Sequence, residues 1–346
     1  MAKLLATLVV LNYDGRALLD ACLPSVLAQR FADFEVVVVD NGSRDGSIEH
    51  IRARWPQVRV VALAENVGVT AALNAMVATA RGEFVALLNN DVELEPEWLA
   101  LVVEALRANP QAAAAAGKLL NFHRRSQIDG AGDILYRGGA ATRRGHGEFD
   151  RGQYDTPEAM FGVCAGAAMY RRSAFERVGP FDERFFAFYE DVDWNFRAQL
   201  AGLTSRYVPS AVAFHMGGAT LGQGMTDFAR YQVTRNLIWM VAKDFPMRTL
   251  FRHAPGIVYV QAAQFAGALQ ARQVGAWAHA VRDALHALPA VLRDRRAVQA
   301  TRAVAAAQLE RVVAARASPW RRVSGPLLSR VFRAREEDAG DLGSSG

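Results

Sequence analysis

Residues 83–93 read EFVALLNNDVE, an apolar run that stops abruptly in two amides and a carboxylate. An unbroken apolar stretch fits a strand buried on both faces, as in a parallel sheet covered by helices. The break then places Asn89, Asn90 and Asp91 at the C-terminal end of that strand. This is the sheet edge at which open α/β folds bind ligands. Taken alone, LLNNDVE serves equally as a polar turn into the helix that Pro96 begins, so the surrounding segments decide.

Working outward, apolar runs alternate with helical patterns through the first third of the chain. LLATLVVL precedes ALLDACLPSVLAQ, EVVVVD precedes SIEHIRARW, VRVVAL precedes VTAALNAMVATA, and EFVALLNN precedes PEWLALVVEALRA. Strand then helix, four times over, predicts βαβ units: an α/β fold with a Rossmann-like, mostly parallel sheet flanked by helices. A Gly-, Arg- and His-rich stretch at 121–160 has no sustained period and reads as a long functional loop. Regular structure resumes with GVCAGAAMYRR, a helical DVDWNFRAQLAG and the strand-like RYVPSAVAFH.

The character changes near residue 226. RYQVTRNLIWMVAKDF is helical, PGIVYVQAAQFAGAL is a short apolar run, and 280–317 reads as an Ala/Arg-rich helix. The organisation expected is a catalytic domain at 1–225, a basic helical appendage at 226–335 and a disordered acidic tail at 336–346. After residue 225 there are 18 Lys and Arg against 9 Asp and Glu; before it the balance is 22 against 26. An acidic front that must hold a diphosphate needs a divalent cation or well-placed amides. The apolar run is too short to span a bilayer. A basic helical region of this kind fits the surface of an anionic membrane, or equally an appendage packed on the catalytic domain or on a second subunit of a homo-oligomer. Nucleic acid is not expected as a partner, because no aromatic platforms interleave with the arginines.

Two cysteines, Cys22 and Cys164, without CxxC spacing indicate neither a disulfide scaffold nor a zinc cluster. MAKLLATLVVLNYDG lacks an A-x-A cleavage pattern and reads as the first strand, not as a secretion signal. Cytoplasmic location, peripheral at the inner face of the membrane, is the expectation.

Four strand ends deliver polar groups to one edge: Asn12, Tyr13 and Asp14; Asp40; Glu65, Asn66 and Gly68; and Asn89 to Asp91. A carboxylate at Asp40 can accept from an imide N–H or a ribose hydroxyl. No G-x-G-x-x-G follows the first strand and no GxxxxGK[ST] occurs, which leaves dinucleotide and P-loop chemistry unsupported.

The ordered set VVLNYDG, VVVVDNGS, ENVGVTAALN, LLNNDVE, VGPFDERFFAFYEDVDWNFRAQLAG and FHMGGAT resembles the family 2 glycosyltransferases of GT-A fold, in particular their rhamnosyltransferase-like branch. The resemblance covers roughly residues 4 to 220. It implies an inverting enzyme that moves a sugar from a dTDP- or UDP-sugar to a lipid-linked or cell-surface polysaccharide acceptor, with Mg2+ or Mn2+. By the same resemblance Asp40 contacts the base or ribose, and Asn12, Tyr13 and Asp14 wall the base. Asn66, Gly68, Asn89 and Asn90 complete the donor site, while Asp91 and His215 hold the metal. Asn89 stands where the family's D-x-D motif has its first carboxylate, so one ligand fewer is available. Asp191 is implied as the base, with Glu190 beside it. The aromatic setting FFAFYEDVDW would desolvate these carboxylates and raise their pKa. The Q-x-x-R-W motif of processive members is absent. A sugar-phosphate nucleotidyltransferase and a non-catalytic nucleotide-sugar-binding module are the alternatives.

Overall fold

The computed structural model describes residues 4–217 and 225–314. The expected tail 336–346, residues 315–335 of the basic region and the end of FHMGGAT (218–220) lie outside the described residues.

The first elements are β1 (Ala6–Asn12), α1 (Arg16–Leu27), β2 (Phe34–Asp40), α2 (Ser47–Arg54), β3 (Arg59–Ala62), α3 (Val69–Thr79), β4 (Phe84–Asn89), β5 (Val92–Leu94) and α4 (Trp98–Ala108). The four strands predicted from alternation pair in parallel in the order β3-β2-β1-β4. Leu8 and Val10 of β1 pack on the face covered by α1, α2 and α4, through Leu23, Ile51 and Val102. Val9 and Leu11 pack on the other face against Leu73 and Met76 of α3. Burial of both faces is why these strands read as continuous apolar runs.

The chain steps outward from β1 to β3 and then returns to lay β4 on the far side of β1. That reversal creates a crevice between the ends of β1 and β4, the place where such sheets receive ligands.

Beyond β4 the sheet is mixed. The chain continues through β6 (Ala112–Asn121), β7 (Ile128–Gly130), β8 (Asp133–Tyr136), β9 (Ala141–Arg143), β10 (Glu158–Met160), β11 (Ala167–Arg171), α5 (Arg172–Val178), α6 (Glu190–Leu200) and β12 (Thr204–His215). Ten strands form the main sheet, ordered β10-β12-β6-β11-β4-β1-β2-β3, with β5 on β12 and β7 on β6. The alanine run 112–116 forms the centre of this half, although alanine is the strongest helix former. Its small side chains let both faces close, and a Cβ on the neighbouring Gly117 would sit 1.6 Å from the Ala211 carbonyl oxygen.

Two sequence expectations change. The stretch 121–160, read as irregular, contains β7, β8, β9 and β10, each of three or four residues and too short to display a period. The single helix expected at 280–317 divides into α9 (Val274–Ala300) and α10 (Ala306–Val312), followed by β13 (Val313–Ala314). The break is fixed by tertiary contact: the Ala303 N–H donates to the Leu200 carbonyl at 2.8 Å, and β13 pairs with β8.

Before α9 come α7 (Asp227–Asp244) and α8 (Met247–Gln270). α7 is built into the body of the protein: Leu237, Trp239 and Met240 share a buried cluster with Phe185, Tyr189 and Phe196.

Candidate active site

The strand ends converge as the register requires. Asn12 is level with Asp40, and Leu11 with Asn89. The Asn90 amide donates to Asn12 Oδ1 at 2.8 Å, and the Asn12 amide donates to Asp40 Oδ2 at 2.8 Å. Ser43 N–H donates to the other Asp40 oxygen at 2.9 Å. Gly15 is required beside this chain of bonds, because a Cβ there would lie 2.0 Å from the Asn90 amide nitrogen.

These ends border a cavity of about 770 Å3. Tyr13, Asn66, Gly68, Asn89 and Asn90 line it, as do Asp91, His215, Glu190 and Asp191. Asn12 and Asp40 are fully buried behind the wall, where they order the edge. Asp14 is exposed, and its carboxylate accepts from the Arg44 N–H at 2.7 Å.

β5 pairs antiparallel with β12, placing His215 opposite Val92 and so next to Asp91. His215 Nε2 lies 3.4 Å from Asp91 Oδ2, while Nδ1 lies 2.9 Å from Asp129 Oδ2 on β7. A carboxylate behind an imidazole fixes the ring and leaves the other nitrogen for a metal. Burial would lower the His215 pKa, but the hydrogen bonds to Asp129 and Asp91 prevail and push it to about 9. Burial would likewise raise Asp129; hydrogen bonds with His146 and His215 and the charge of Arg143 outweigh it and hold the carboxyl well below the usual carboxylate range.

A divalent cation fits this corner. Asp91 Oδ1 is buried without a hydrogen-bond partner. The cavity wall sets the carboxyls of Asp91, Asp133, Glu190 and Asp191 against Arg143 and His215, which leaves no surplus of positive charge for a bound diphosphate. Among the described residues no group of three or more His, Cys, Asp or Glu is arranged to hold a metal. Asp91 and His215 are the side chains that would be offered to such an ion, its other positions falling to phosphate oxygens and water, as magnesium sites commonly use.

Also on the cavity wall, Glu190 and Asp191 open α6. The preceding residues Phe186, Phe188 and Tyr189 have φ of 62°, 64° and 69°, a conformation that costs a bulky residue about 1–3 kcal/mol. Gly68 must lack a side chain here, since a Cβ would lie 2.5 Å from the Phe186 ring. The two carboxyls differ in their partners. Burial, then the adjacent Asp191, pushes Glu190 up to about 8, and its Oε2 has no partner. Burial raises Asp191 too, yet the Ala165 and Val192 N–H groups donate to its two oxygens at 3.3 and 2.8 Å. Bonds of that kind favour the charged form. Two backbone donors thus favour the charged form at Asp191, while burial favours the protonated form at Glu190.

The sequence reading missed Asn41, Asp129, Asp133 and Arg143. Asn41 lines the cavity and accepts from the Val67 N–H at 3.0 Å, joining the second and third strand ends; its position directly after Asp40 was the available signal. The other three fall in the stretch 121–160, whose lack of period concealed which side chains return to the site. Asp133 stands beside Asp191, and burial together with that charge pushes its pKa well above the usual value.

The profile described as glycosyl transferase family 2 matches residues 7–179. An uncharacterised protein of Sinorhizobium fredii, y4gI, is 30% identical over 254 residues, which is 68% of this chain and 27% of that protein. This chain thus spans about a quarter of that relative. An N-acetylglucosaminyl-diphospho-decaprenol L-rhamnosyltransferase of Mycobacterium tuberculosis is 30% identical over 237 residues, 62% of this chain and 77% of its own. Among solved structures, a mannosyltransferase from Pyrobaculum calidifontis in complex with GDP-Man and Mn2+ has a TM-score of 0.53 at 19% identity, covering 86% of this chain and 85% of that one. At that identity the likeness concerns the fold.

Proposed function

Since the chain belongs to glycosyl transferase family 2, with the GT-A fold of a glycosyltransferase, we propose that it transfers a sugar with inversion from a dTDP- or UDP-sugar to a lipid-linked or surface-polysaccharide acceptor. L-Rhamnose is the favoured sugar, by analogy with the relative named as a rhamnosyltransferase. The observation that carries this reading is one cavity of about 770 Å3 lined by both the Asp91–His215 pair and Asp191.

In this scheme the strand-end amides seat the nucleotide, with Asn41 and Asn66 fixing the loop around it. Asp91 and His215 would hold Mg2+ or Mn2+, which when bound neutralises charge on the leaving diphosphate. Asp191 accepts the acceptor hydroxyl proton as the new C1–O bond forms and the C1–phosphate bond breaks, its electrons leaving with the diphosphate. Glu190, carrying its proton, donates a hydrogen bond within the acceptor site. A single displacement needs no enzyme nucleophile.

The acceptor class agrees with a second surface. Met247, Phe251, Val258, Phe265 and Leu269 on α8 are exposed at helical spacing, and the 24 residues of this helix include Arg248 and Arg252 but no carboxylate. We assign this face to an anionic lipid surface, on which an apolar stripe flanked by arginines would lie. Among the described residues no helix is long and apolar enough to cross a membrane.

Incubation with a panel of nucleotide sugars, Mn2+ and a polyprenyl-diphosphate-linked acceptor tests the reaction. Release of nucleoside diphosphate with product of inverted anomeric configuration is expected. Release of pyrophosphate from a sugar phosphate and NTP, or binding without turnover, would count against it.

A further inference from the structure

We propose that Asn236 of α7, with Arg235 beside it, is a positioning residue that locks the backbone leading into the base. This rests on the reading of Asp191 as that base.

The segment 184–189 joins the 3-10 turn Glu183–Phe185 to α6; Phe186, Phe188 and Tyr189 are left-handed, and the short-range backbone bonds here include Phe186 N–H to Glu183 O at 3.1 Å and Ala187 N–H to Phe185 O at 2.7 Å. The carbonyls from 184 to 188 are all satisfied from outside the segment. Arg235 Nη2 donates to Arg184 O and Phe185 O at 3.0 and 3.1 Å. Asn236 Nδ2 donates to Phe185 O, Ala187 O and Phe188 O at 3.0, 2.9 and 2.7 Å. Thr70 N–H, at the start of α3, donates to Phe186 O at 3.1 Å.

Asn236 is fully buried. Its orientation follows from its neighbours: three carbonyls surround the nitrogen, and Arg235 Nε donates to Oδ1 at 3.0 Å. One amide thus closes three carbonyls of a strained turn, which a buried backbone in this conformation requires. The turn also carries the acceptor-side wall of the cavity, so its position fixes both where Asp191 stands and where the acceptor rests. The donor side, by contrast, is built from the strand ends and holds together without Asn236. Removal of the clamp should therefore affect the chemical step more than donor binding.

The test compares wild type, Asn236→Ala, Asp191→Asn and the double variant by kcat and by donor affinity. Asn236→Ala should lower kcat by about 10- to 100-fold, the scale of a misplaced reacting group, with the donor Kd within about twofold of wild type. The double variant should be no slower than Asp191→Asn, because a residue acting through the base has nothing to add once the base is lost. An unaltered kcat in Asn236→Ala, a parallel loss of donor affinity, or multiplicative losses in the double variant would overturn the assignment. If Asn236→Ala loses its near-UV circular dichroism, Arg235→Lys provides the same comparison with a smaller expected loss of about 3- to 10-fold, and normal turnover in that variant would equally overturn it. A wild-type protein without nucleoside diphosphate release would sink the parent reading, whereas an active wild type with an indifferent Asn236→Ala sinks only this one.

Discussion

Adjacent carboxyls at 190 and 191 occupy one helix start and have unlike environments, and the difference sets what each is expected to do. Asp191 accepts two backbone N–H bonds, whereas Glu190 is buried with an unpartnered oxygen. Asp191→Asn should slow transfer by about 10²- to 10⁴-fold, the usual contribution of a general base, and leave donor affinity unchanged in equilibrium titration. Glu190 has the further signature of a stability effect. Its pKa of about 8 in the folded protein exceeds that of an exposed glutamate, so the folded state binds the proton more tightly, and stability falls as pH rises from the unfolded value toward 8. Glu190→Gln keeps the neutral form and should be more stable than wild type at pH 8 by a few kcal/mol, on the order of what such a shift carries. The advantage should vanish near pH 4.5, where both side chains are neutral. Denaturant unfolding at the two pH values checks the sign. The sequence sets both carboxyls in aromatic surroundings and the family resemblance implies Asp191 as the base; their unlike partners were not legible, because the Ala165 N–H comes from a distant segment.

At the scale of elements, the proposed metal corner is assembled where three strands meet. The turn leading into β5 supplies Asp91, the end of β12 supplies His215, and the short β7 supplies Asp129 behind the imidazole. Asp91 and His215 were legible as polar endings of apolar runs. Asp129 was not, since a three-residue strand within a Gly/Arg-rich stretch carries no period and gains its place only by pairing with β6. Asp129→Asn should weaken metal-dependent donor binding by about 10- to 100-fold, the range for a residue that orients a ligating histidine. His215→Ala should lose as much or more. Donor titrations at varied Mn2+ measure both, and an unchanged metal dependence in either variant would remove the histidine from the metal site.

Over the whole molecule, the front of the chain was far more legible than the back. β1 to β4 are buried on both faces and announce themselves by composition. The alanine-rich β6 went unread, since alanine favours helices and this segment becomes a strand only through its sheet partners. α7 read as a helix but not as a wall of the cavity, where Phe228, Ala229 and Val233 stand. The exposed stripe of α8 has its own expected outcome: the protein should float with phosphatidylglycerol vesicles and less with phosphatidylcholine. Phe251→Ser with Phe265→Ser should abolish flotation, whereas a variant that floats normally, or one whose sedimentation shifts from dimer to monomer, would reassign the face to a second copy of the chain. The measurement closest to the central claim is an anomalous difference map from crystals grown with Mn2+ and a nucleotide-sugar donor. A single manganese peak is expected at Asp91 Oδ1 and His215 Nε2, with the donor's sugar between it and Asp191; a peak elsewhere, or a donor bound with neither side chain in contact with the ion, would contradict it.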